Sequence, residues 1–459
     1  MRDVNLLETV RPNGILSHLR KLSLEASLIW SGEIVAALGA IVGVRLLTRC
    51  LDPPDYGAVA LAMTVATVGQ QVIFSPVMQA AVRYLPVSLE RKSLPSFLAG
   101  LTHLLRTGSA VLGLALGLGV LILALSGQHK TISLGIIAGV FAGICGCNSV
   151  MDGVQMAARQ RAIVAWHQAL SQWLRFSLAA AFVYLFVGGS TAAMAGYTLA
   201  ALAVLLSQWF FLRRVLDRLL AGNPASSKGN GELTGAMRSY AWPFAMWGLF
   251  TWLQMSSDRW SLEAFRSARE VGLFQVSYQL GYYPLQLLSG VSMQLFIPIL
   301  FKMAGDGSAA RRVQLAQRAT IGLVGCSLGA TLVAGILSLG LGNRLVALVA
   351  SAPYQSSARL LPLMVFAGGL FGSAQIASLL PMINGASRTL LKPKIGVAVV
   401  GVLLNVAGAY WYGLLGVAVS SLLQSLLLLV WMLSIISPHA LRGSLPVIAE
   451  PCNAGPLLT

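Results

Sequence analysis

Long uncharged apolar stretches constrain the fold of this chain more than any other feature. Val111–Leu125, Ile132–Val150 and Leu414–Ile436 contain no charged residue over 15 to 23 positions. A helix of about 20 apolar residues spans the roughly 30 Å hydrocarbon core of a bilayer. The composition agrees, since 56% of the residues are hydrophobic and 10% are charged, against about 25% charged in soluble proteins. The sequence therefore predicts membrane-spanning helices rather than a soluble globular core.

The apolar segments predict an all-α polytopic membrane protein of about twelve transmembrane helices. Polar and basic residues separate one apolar stretch from the next. The predicted spans are 25–48, 57–81, 100–126, 131–152, 169–188, 192–213, 240–258, 271–300, 319–341, 359–384, 394–412 and 414–436.

One polar stretch divides the chain into two halves of similar length. Residues 221–231 read AGNPASSKGNG, a Gly-, Ser- and Pro-rich composition that is typical of a linker. We predict an N-terminal interfacial segment, an N-lobe of six spans, a cytoplasmic linker, a C-lobe of six spans and a cytoplasmic tail. These parts cover residues 1–24, 25–220, 221–237, 238–437 and 438–459.

The positive charge of the chain, formally +17, indicates topology rather than nucleic-acid binding. Lys and Arg accumulate on the cytoplasmic side of membrane proteins. About three quarters of the 32 basic residues fall on one side when both termini are placed inside. No basic block interleaved with aromatic residues occurs, so we expect no nucleic-acid partner. The prediction is a multi-pass protein of the cell inner membrane with cytoplasmic N- and C-termini.

A short motif recurs at the start of the second and eighth predicted spans. Asp55–Val59 (DYGAV) opens the second span, and Glu270–Phe274 (EVGLF) opens the eighth, at an offset of 215 residues. A duplication of six helices, with the copies related by an axis along the membrane normal, accounts for this echo.

The sequence offers no pattern that requires catalysis, a cofactor or a metal. Cys145 and Cys147 lie in an apolar run without a nearby His, which is typical of small buried hydrophobic residues. Asp52 and Asp55 flank two prolines and resemble the acidic loop of membrane glycosyltransferases that use a lipid-phosphate sugar donor. We favour a rigid turn in which Asp55 caps the next helix. We therefore predict that the protein is not an enzyme and carries no cofactor or metal.

Two ionisable residues inside predicted spans are candidates for function. An ionisable group within a bilayer is costly unless it faces a cavity or a partner. Glu33 in the first span and Arg175 in the fifth lie at similar depths from the inner side. We predict that they face a shared inner cavity, with snorkelling to the interface as the alternative.

Further cations and amides near the ends of spans suit an anionic, sugar-bearing cargo. A diphosphate group costs tens of kcal/mol to move bare through hydrocarbon, so hydrogen-bond donors and positive charge must accompany it. Asp258, like Glu33, is a candidate for coupling or gating. The candidate cargo-binding residues are Arg45, Arg49, Arg83, Arg175, Arg259, Gln70, Gln254 and Gln279.

Several segments resemble a known family. Arg45–Gly57 (RLLTRCLDPPDYG) resembles the opening of the polysaccharide-export (Wzx-like) branch of the multidrug/oligosaccharidyl-lipid/polysaccharide (MOP) exporter superfamily. Later segments resemble the seventh, eighth and last two spans of that branch. They are Pro243, Asp258 with Arg259, Val271–Phe274 with Tyr278 and Pro284, Asn405, and Tyr412–Ser420.

The resemblance implies a fold and a function. It implies a V-shaped, MATE-like bundle of two six-helix lobes around a central cavity, which alternates between inward and outward openings. The implied cargo is an undecaprenyl-diphosphate-linked oligosaccharide for O-antigen, capsule or exopolysaccharide. Membrane lipids are expected contacts, and a polysaccharide polymerase and a chain-length regulator are candidate partners.

Three other functions stay open at this point. A cation-coupled multidrug exporter of the MATE type usually has a glycine-rich segment after its acidic residue in the first span, which Glu33 lacks. Lipid II flippases typically have two spans beyond twelve. A membrane-embedded polymerase or transferase is the third alternative, and it requires larger outer loops than this sequence predicts.

Overall fold

The architecture comes from a computed structural model, which describes residues 32, 35–127, 129–186, 188–221, 230–305, 310–383 and 387–435. This part of the chain is helical and contains no β-strand. The helices are α1 (35–50), α2 (Pro53–Gly69), α3 (Ser75–Glu90), α4 (Leu94–Leu125), α5 (His129–Ala157), α6 (Arg161–Phe186), α7 (Ser190–Ala221), α8 (Asn230–Phe265), α9 (Ala268–Ser277), α10 (Tyr283–Ala304), α11 (Ala310–Val349), α12 (Leu361–Ala377), α13 (Leu379–Ile383) and α14 (Leu391–Ser434).

Nine helical segments of the described residues are long and apolar enough to cross a membrane. Their outward faces remain apolar. On α4, for instance, Leu114, Leu118 and Leu125 are exposed. Contiguous apolar surface of this kind is unfavourable in water and favourable against lipid tails. The predicted all-α, polytopic membrane fold is confirmed.

Helix α14 is a hairpin of two spans. Its 44 residues would extend about 66 Å as one helix, which is twice the thickness of a bilayer core. Gly413 interrupts it with φ 60° and ψ −133°, a conformation that favours glycine. Ser420 Oγ then donates to the Leu404 carbonyl, and Gln424 Nε2 donates to that of Gly401, so the two arms run antiparallel. These arms correspond to the predicted spans 394–412 and 414–436.

Two predicted loops are shorter in the structure. The sequence predicts an outer loop over residues 258–270, but α8 continues to Phe265 and α9 begins at Ala268. Asp258 and Arg259 are thus helical and buried. At the other end, α8 begins at Asn230, within the predicted linker 221–237. At its C-terminal end, α8 continues beyond its apolar stretch because Asp258 and Arg259 find partners there.

The second and eighth predicted spans each contain a π-helical segment just before a proline. Gln70–Phe74 joins α2 to α3 ahead of Pro76, and Tyr278–Tyr282 joins α9 to α10 ahead of Pro284. Proline has no N–H to donate, and its ring clashes with the carbonyl four residues earlier. That carbonyl lies inside the π segment in both spans, where the wider helix accommodates it.

Candidate functional site

The starts of α2 and α9 touch each other through a reciprocal pair of glycines. A Cβ on Gly57 would meet the Ala268 carbonyl, and a Cβ on Gly272 would meet the Pro53 carbonyl. Backbones this close leave room only for glycine. Both pairs, 53 with 268 and 57 with 272, are separated by the offset of 215 residues that relates the repeated motif. The contact is therefore the one that a two-fold axis between equivalent segments produces.

A second contact joins the C-terminal ends of α1 and α11, and we call it the inter-half seam. Arg45 Nη1 donates to the Ala347 and Ala350 carbonyls at 3.1 and 3.2 Å, so this arginine satisfies acceptors left free where α11 ends. The Ser351 Oγ donates to the Thr48 carbonyl. The buried Tyr354 hydroxyl donates to the Leu51 carbonyl at 2.9 Å.

Asp258 and Arg259 form a buried ion pair in the C-terminal half. They are 5% and 6% exposed, and Arg259 Nη1 lies 3.0 Å from Asp258 Oδ1. Arg259 also donates to Gln275 Oε1 and to the Met255 carbonyl, each at 2.8 Å, and its guanidinium lies 4.4 Å from the centre of the Tyr278 ring. A buried charge pair is tolerated when hydrogen bonds satisfy the remaining atoms, as they do here.

A small polar cavity adjoins this ion pair. Its volume is about 20 Å³, which suits a water or an ion and is too small for a sugar. Two of its amide oxygens, Gln254 Oε1 and Asn405 Oδ1, have no hydrogen-bond partner. The lining residues are Gln254, Met255, Asp258, Tyr278, Tyr282, Asn405, Ser421, Gln424 and Ser425.

Tyr56 connects the two halves between two arginines. Its hydroxyl donates to Gln279 Oε1 at 2.6 Å, and both Arg175 and Arg259 interact electrostatically with it. A hydrogen bond to a predicted residue thus joins the halves, and one predicted cation from each half acts electrostatically on its donor.

Arg175 lies half-buried in the N-terminal half. Its Nη2 donates to Gln172 Oε1 at 2.6 Å, and its guanidinium lies 5.3 Å from the centre of the Tyr197 ring. The Nε atom of Arg175 has no partner. Gln70, in the first π segment, hydrogen-bonds the Cys145 thiol close to the same guanidinium. These residues form a polar group inside the N-terminal half.

The remaining predicted residues lie elsewhere. Arg49 and Arg83 are exposed on α1 and α3, apart from the buried polar groups. Glu33 is outside the described residues, so its predicted proximity to Arg175 stays a prediction. Asp55 accepts a hydrogen bond from the Ser190 backbone N–H at 3.2 Å. It therefore caps α7, whereas the sequence predicted that it caps the helix it opens.

One buried cation was missed by sequence reasoning. Lys394 is 6% exposed, and its Nζ lies 5.6 Å from the centre of the Trp247 ring. Because Lys394 stands at the start of the predicted span 394–412, it was assigned to the basic residues of the inner face. Neither it nor the preceding Pro393 indicates from the sequence that this side chain is buried. Within the described residues, no group of three His, Cys, Asp or Glu side chains could hold a metal ion.

Similar solved structures share this fold. The lipid II flippase MurJ in an inward closed conformation has a TM-score of 0.68 at 13% identity, over 90% of this chain and 87% of that one. An inward-facing multidrug resistance MATE family transporter of the MOP superfamily has a TM-score of 0.65 and 16% identity, and the match covers 92% of this chain and 100% of that one. The Vibrio cholerae MATE transporter VcmN in its bent form has a TM-score of 0.55 and 14% identity, and the match covers 92% of this chain and 98% of that one. No curated protein matches the chain in sequence.

The chain shares its fold with membrane transporters of the flippase and exporter type. The profile of the family described as "Polysaccharide biosynthesis protein" matches residues 25–304, more than half of the chain. The chain belongs to this family, which confirms the polysaccharide-related family that its motifs indicate.

Proposed function

We propose that the protein flips an undecaprenyl-diphosphate-linked oligosaccharide from the cytoplasmic to the periplasmic leaflet of the inner membrane, for assembly of a surface polysaccharide. Membership of the polysaccharide biosynthesis protein family supports the cargo class. The observation that carries the mechanism is that two cations from opposite halves, Arg175 and Arg259, both act electrostatically on Tyr56, which is hydrogen-bonded across the halves. Such a pair can stabilise a diphosphate that passes between the halves.

The cargo would be held by groups from both halves. Arg175 and Arg259 would contact the diphosphate once the Tyr56–Gln279 hydrogen bond opens, since that bond joins the halves and both cations act electrostatically on Tyr56. Gln70, Gln254 and Gln279 would bind the sugars through their amides. The exposed Arg49 and Arg83 would attract the anionic headgroup at the two faces, and Arg45 would hold the inter-half seam closed.

Transport would proceed by rocking of two six-helix lobes, residues 25–220 and 238–437, with both termini in the cytoplasm. The reciprocal contact of Gly57 with Gly272 supports a pivot between equivalent segments. Asp258 and Glu33 would couple the motion to an ion gradient or to the membrane potential. A polysaccharide polymerase and a chain-length regulator would receive the cargo at the periplasmic face.

Vesicles reconstituted with the purified protein test this function. We expect a fluorescent undecaprenyl-diphosphate oligosaccharide in the inner leaflet to become accessible to an external reagent only when the protein is present. An Arg175→Gln/Arg259→Gln variant should lose this activity, whereas the exposed control Arg269→Gln should retain it. In cells, deletion of the gene should trap lipid-linked repeat units on the cytoplasmic side.

Other outcomes identify the alternatives. Unchanged polysaccharide together with sensitivity to cationic dyes in the deletion strain would indicate a multidrug exporter, and arrested peptidoglycan synthesis would indicate a lipid II flippase. Loss of polymer in an Asp52→Asn/Asp55→Asn variant, with flipping intact, would indicate a transferase or polymerase. Each of these results would overturn the proposal.

A further inference from the structure

An acidic residue in the N-terminal half lacks a charged partner. Asp152 is half-buried in α5, within the apolar span 131–157. Its side chain accepts hydrogen bonds from two amides, Gln208 Nε2 at 2.6 Å and the Gln168 side chain. No Arg or Lys among the described residues forms an ion pair with it. A carboxylate in a membrane span is unfavourable without compensating positive charge.

Several amide oxygen atoms near Asp152 have no hydrogen-bond partner. Gln155 is 0% exposed and Gln208 is 1% exposed. Both Gln155 side-chain polar atoms lack a partner, as do the Oε1 atom of Gln208 and the Oδ1 atom of Asn148. Each buried, unpartnered polar atom costs about 1 to 3 kcal/mol. A cation would remove this cost for the three oxygen atoms, Gln155 Oε1, Gln208 Oε1 and Asn148 Oδ1.

These groups share one face of the interface between α5 and α7. Asn148, Asp152 and Gln155 occupy positions i, i+4 and i+7 of α5, which form one stripe on a helix. Asn148 Nδ2 donates to the Ala201 carbonyl of α7 at 3.1 Å, and Gln208 stands two turns farther along α7. Asn148 and Asp152 therefore both contact α7, and Gln155 continues their stripe on the same face of α5.

Charge and chemistry together select the ligand. One carboxylate balances one positive charge, whereas a divalent ion would leave an excess charge in the membrane. Protonation of Asp152 would remove the charge but leave the amide oxygens without partners. Carboxylate and carbonyl oxygens are the ligands of hard cations, and few ligands favour a small ion. We infer that Asp152, Gln155, Gln208 and Asn148 form a sodium site in the N-terminal half, separate from the cavity beside Asp258.

Binding of radioactive sodium to the purified full-length protein in nanodiscs tests the site, at constant ionic strength with choline as the balancing cation. The wild type should bind Na⁺ in a saturable manner, and Asp152→Asn should weaken binding at least tenfold. Asp217→Asn is the matched control, because Asp217 is exposed on α7 and its removal changes the net charge equally. That variant should bind Na⁺ as the wild type does.

A second variant keeps the test decisive if Asp152→Asn fails to fold. Gln155→Met removes two buried, unpartnered polar atoms at similar volume, so it should raise the melting temperature without sodium. It should also reduce the sodium-induced rise in melting temperature that the wild type shows. Wild-type sodium binding in Asp152→Asn or Gln155→Met, equal displacement of Na⁺ by K⁺, or a response to pH alone would overturn the proposal.

The measurement is made without lipid-linked cargo, so its result is independent of the flipping assay. Failure of the sodium site would leave the proposed cargo untouched, and failure of the flipping assay would leave the sodium site untouched.

Discussion

At the scale of single residues, variants of the buried pair of Asp258 and Arg259 distinguish a contribution to stability from a contribution to transport. Arg259→Met should destabilise the protein by about 3 to 5 kcal/mol, because it leaves a buried carboxylate unpaired. Asp258→Asn/Arg259→Met should recover most of that loss, since no buried charge remains. Melting temperatures in detergent measure both effects.

Transport should not recover in the double variant. If flipping returned together with stability, the pair would serve the fold alone, and its proposed role in holding the diphosphate would be wrong.

Lys394 gives the opposite combination of effects. Its buried ammonium contacts the Trp247 ring and forms no ion pair with a described residue. Lys394→Met should therefore stabilise the protein by about 1 to 3 kcal/mol and lower the flipping rate if the cation serves an anionic cargo. Lys392→Met is the matched control, because Lys392 is exposed two positions earlier. Equal behaviour of the two variants would assign Lys394 to neither role.

At the scale of helices, the reciprocal glycine contact should respond symmetrically. Gly57→Ala and Gly272→Ala each add a Cβ against a carbonyl of the facing helix, so each should cost about 1 to 3 kcal/mol. Gly113→Ala is the control, since nothing lies within 4 Å of its added Cβ and alanine favours a helix. The melting temperatures of the three variants measure this. If only one of Gly57→Ala and Gly272→Ala lowered the melting temperature, the two-fold relation would be contradicted.

The inter-half seam should control which end of the protein opens. Tyr354→Phe removes the donation to the Leu51 carbonyl, worth about 1 kcal/mol, and so should raise the open population about fivefold. The open population can be measured in a variant that keeps Cys50, carries a new cysteine at position 355 and has alanine in place of the other cysteines. The distance between spin labels on these two cysteines reports opening of the seam. An unchanged distance distribution would show that the seam does not hold this end closed.

At the scale of the whole molecule, the alternation of spans fixes the sidedness of the chain. The ends of α1 and α11 meet the starts of α2 and α9 at one end of the bundle, as alternating crossings require. Native Cys50 at that end should react with a membrane-impermeant maleimide in intact spheroplasts. Native Cys452, in the predicted cytoplasmic tail, should react only after permeabilisation. The reverse pattern in single-cysteine variants would invert the predicted orientation.

Much of this architecture could be predicted from local sequence. A run of uncharged residues specifies a span by itself, because the bilayer offers no partner for an unpaired backbone group. The break at Gly413 and the repetition of DYGAV as EVGLF were visible in the sequence, since each depends on a glycine and its neighbours. The contact between the two motifs was not predicted.

The candidate site was predicted only in part. Arg175, Arg259 and Gln279 were named, and all three interact with Tyr56, Gln279 by a hydrogen bond and the two cations electrostatically. Arg45 was named for its charge, and the structure shows it at the end of α11, a contact that the sequence did not predict; its role in cargo binding stays a prediction. Nothing in the positions of Asp152 or Lys394 distinguishes them from residues at a membrane interface, because exposure depends on which helices pack around them.

The sequence alone thus determined that the chain is a bundle of membrane helices, because the cost of charge in hydrocarbon acts on each segment separately; about twelve spans in two related halves is what it predicts. Only the tertiary structure decided which polar groups face one another. Asp258 and Arg259 pair because α8 is enclosed by neighbouring helices, and Asp152 faces two glutamines because α5, α6 and α7 converge. The helices that enclose Asp258 and Arg259, and the glutamines that contact Asp152, come from distant parts of the chain, so no local pattern can specify these surroundings.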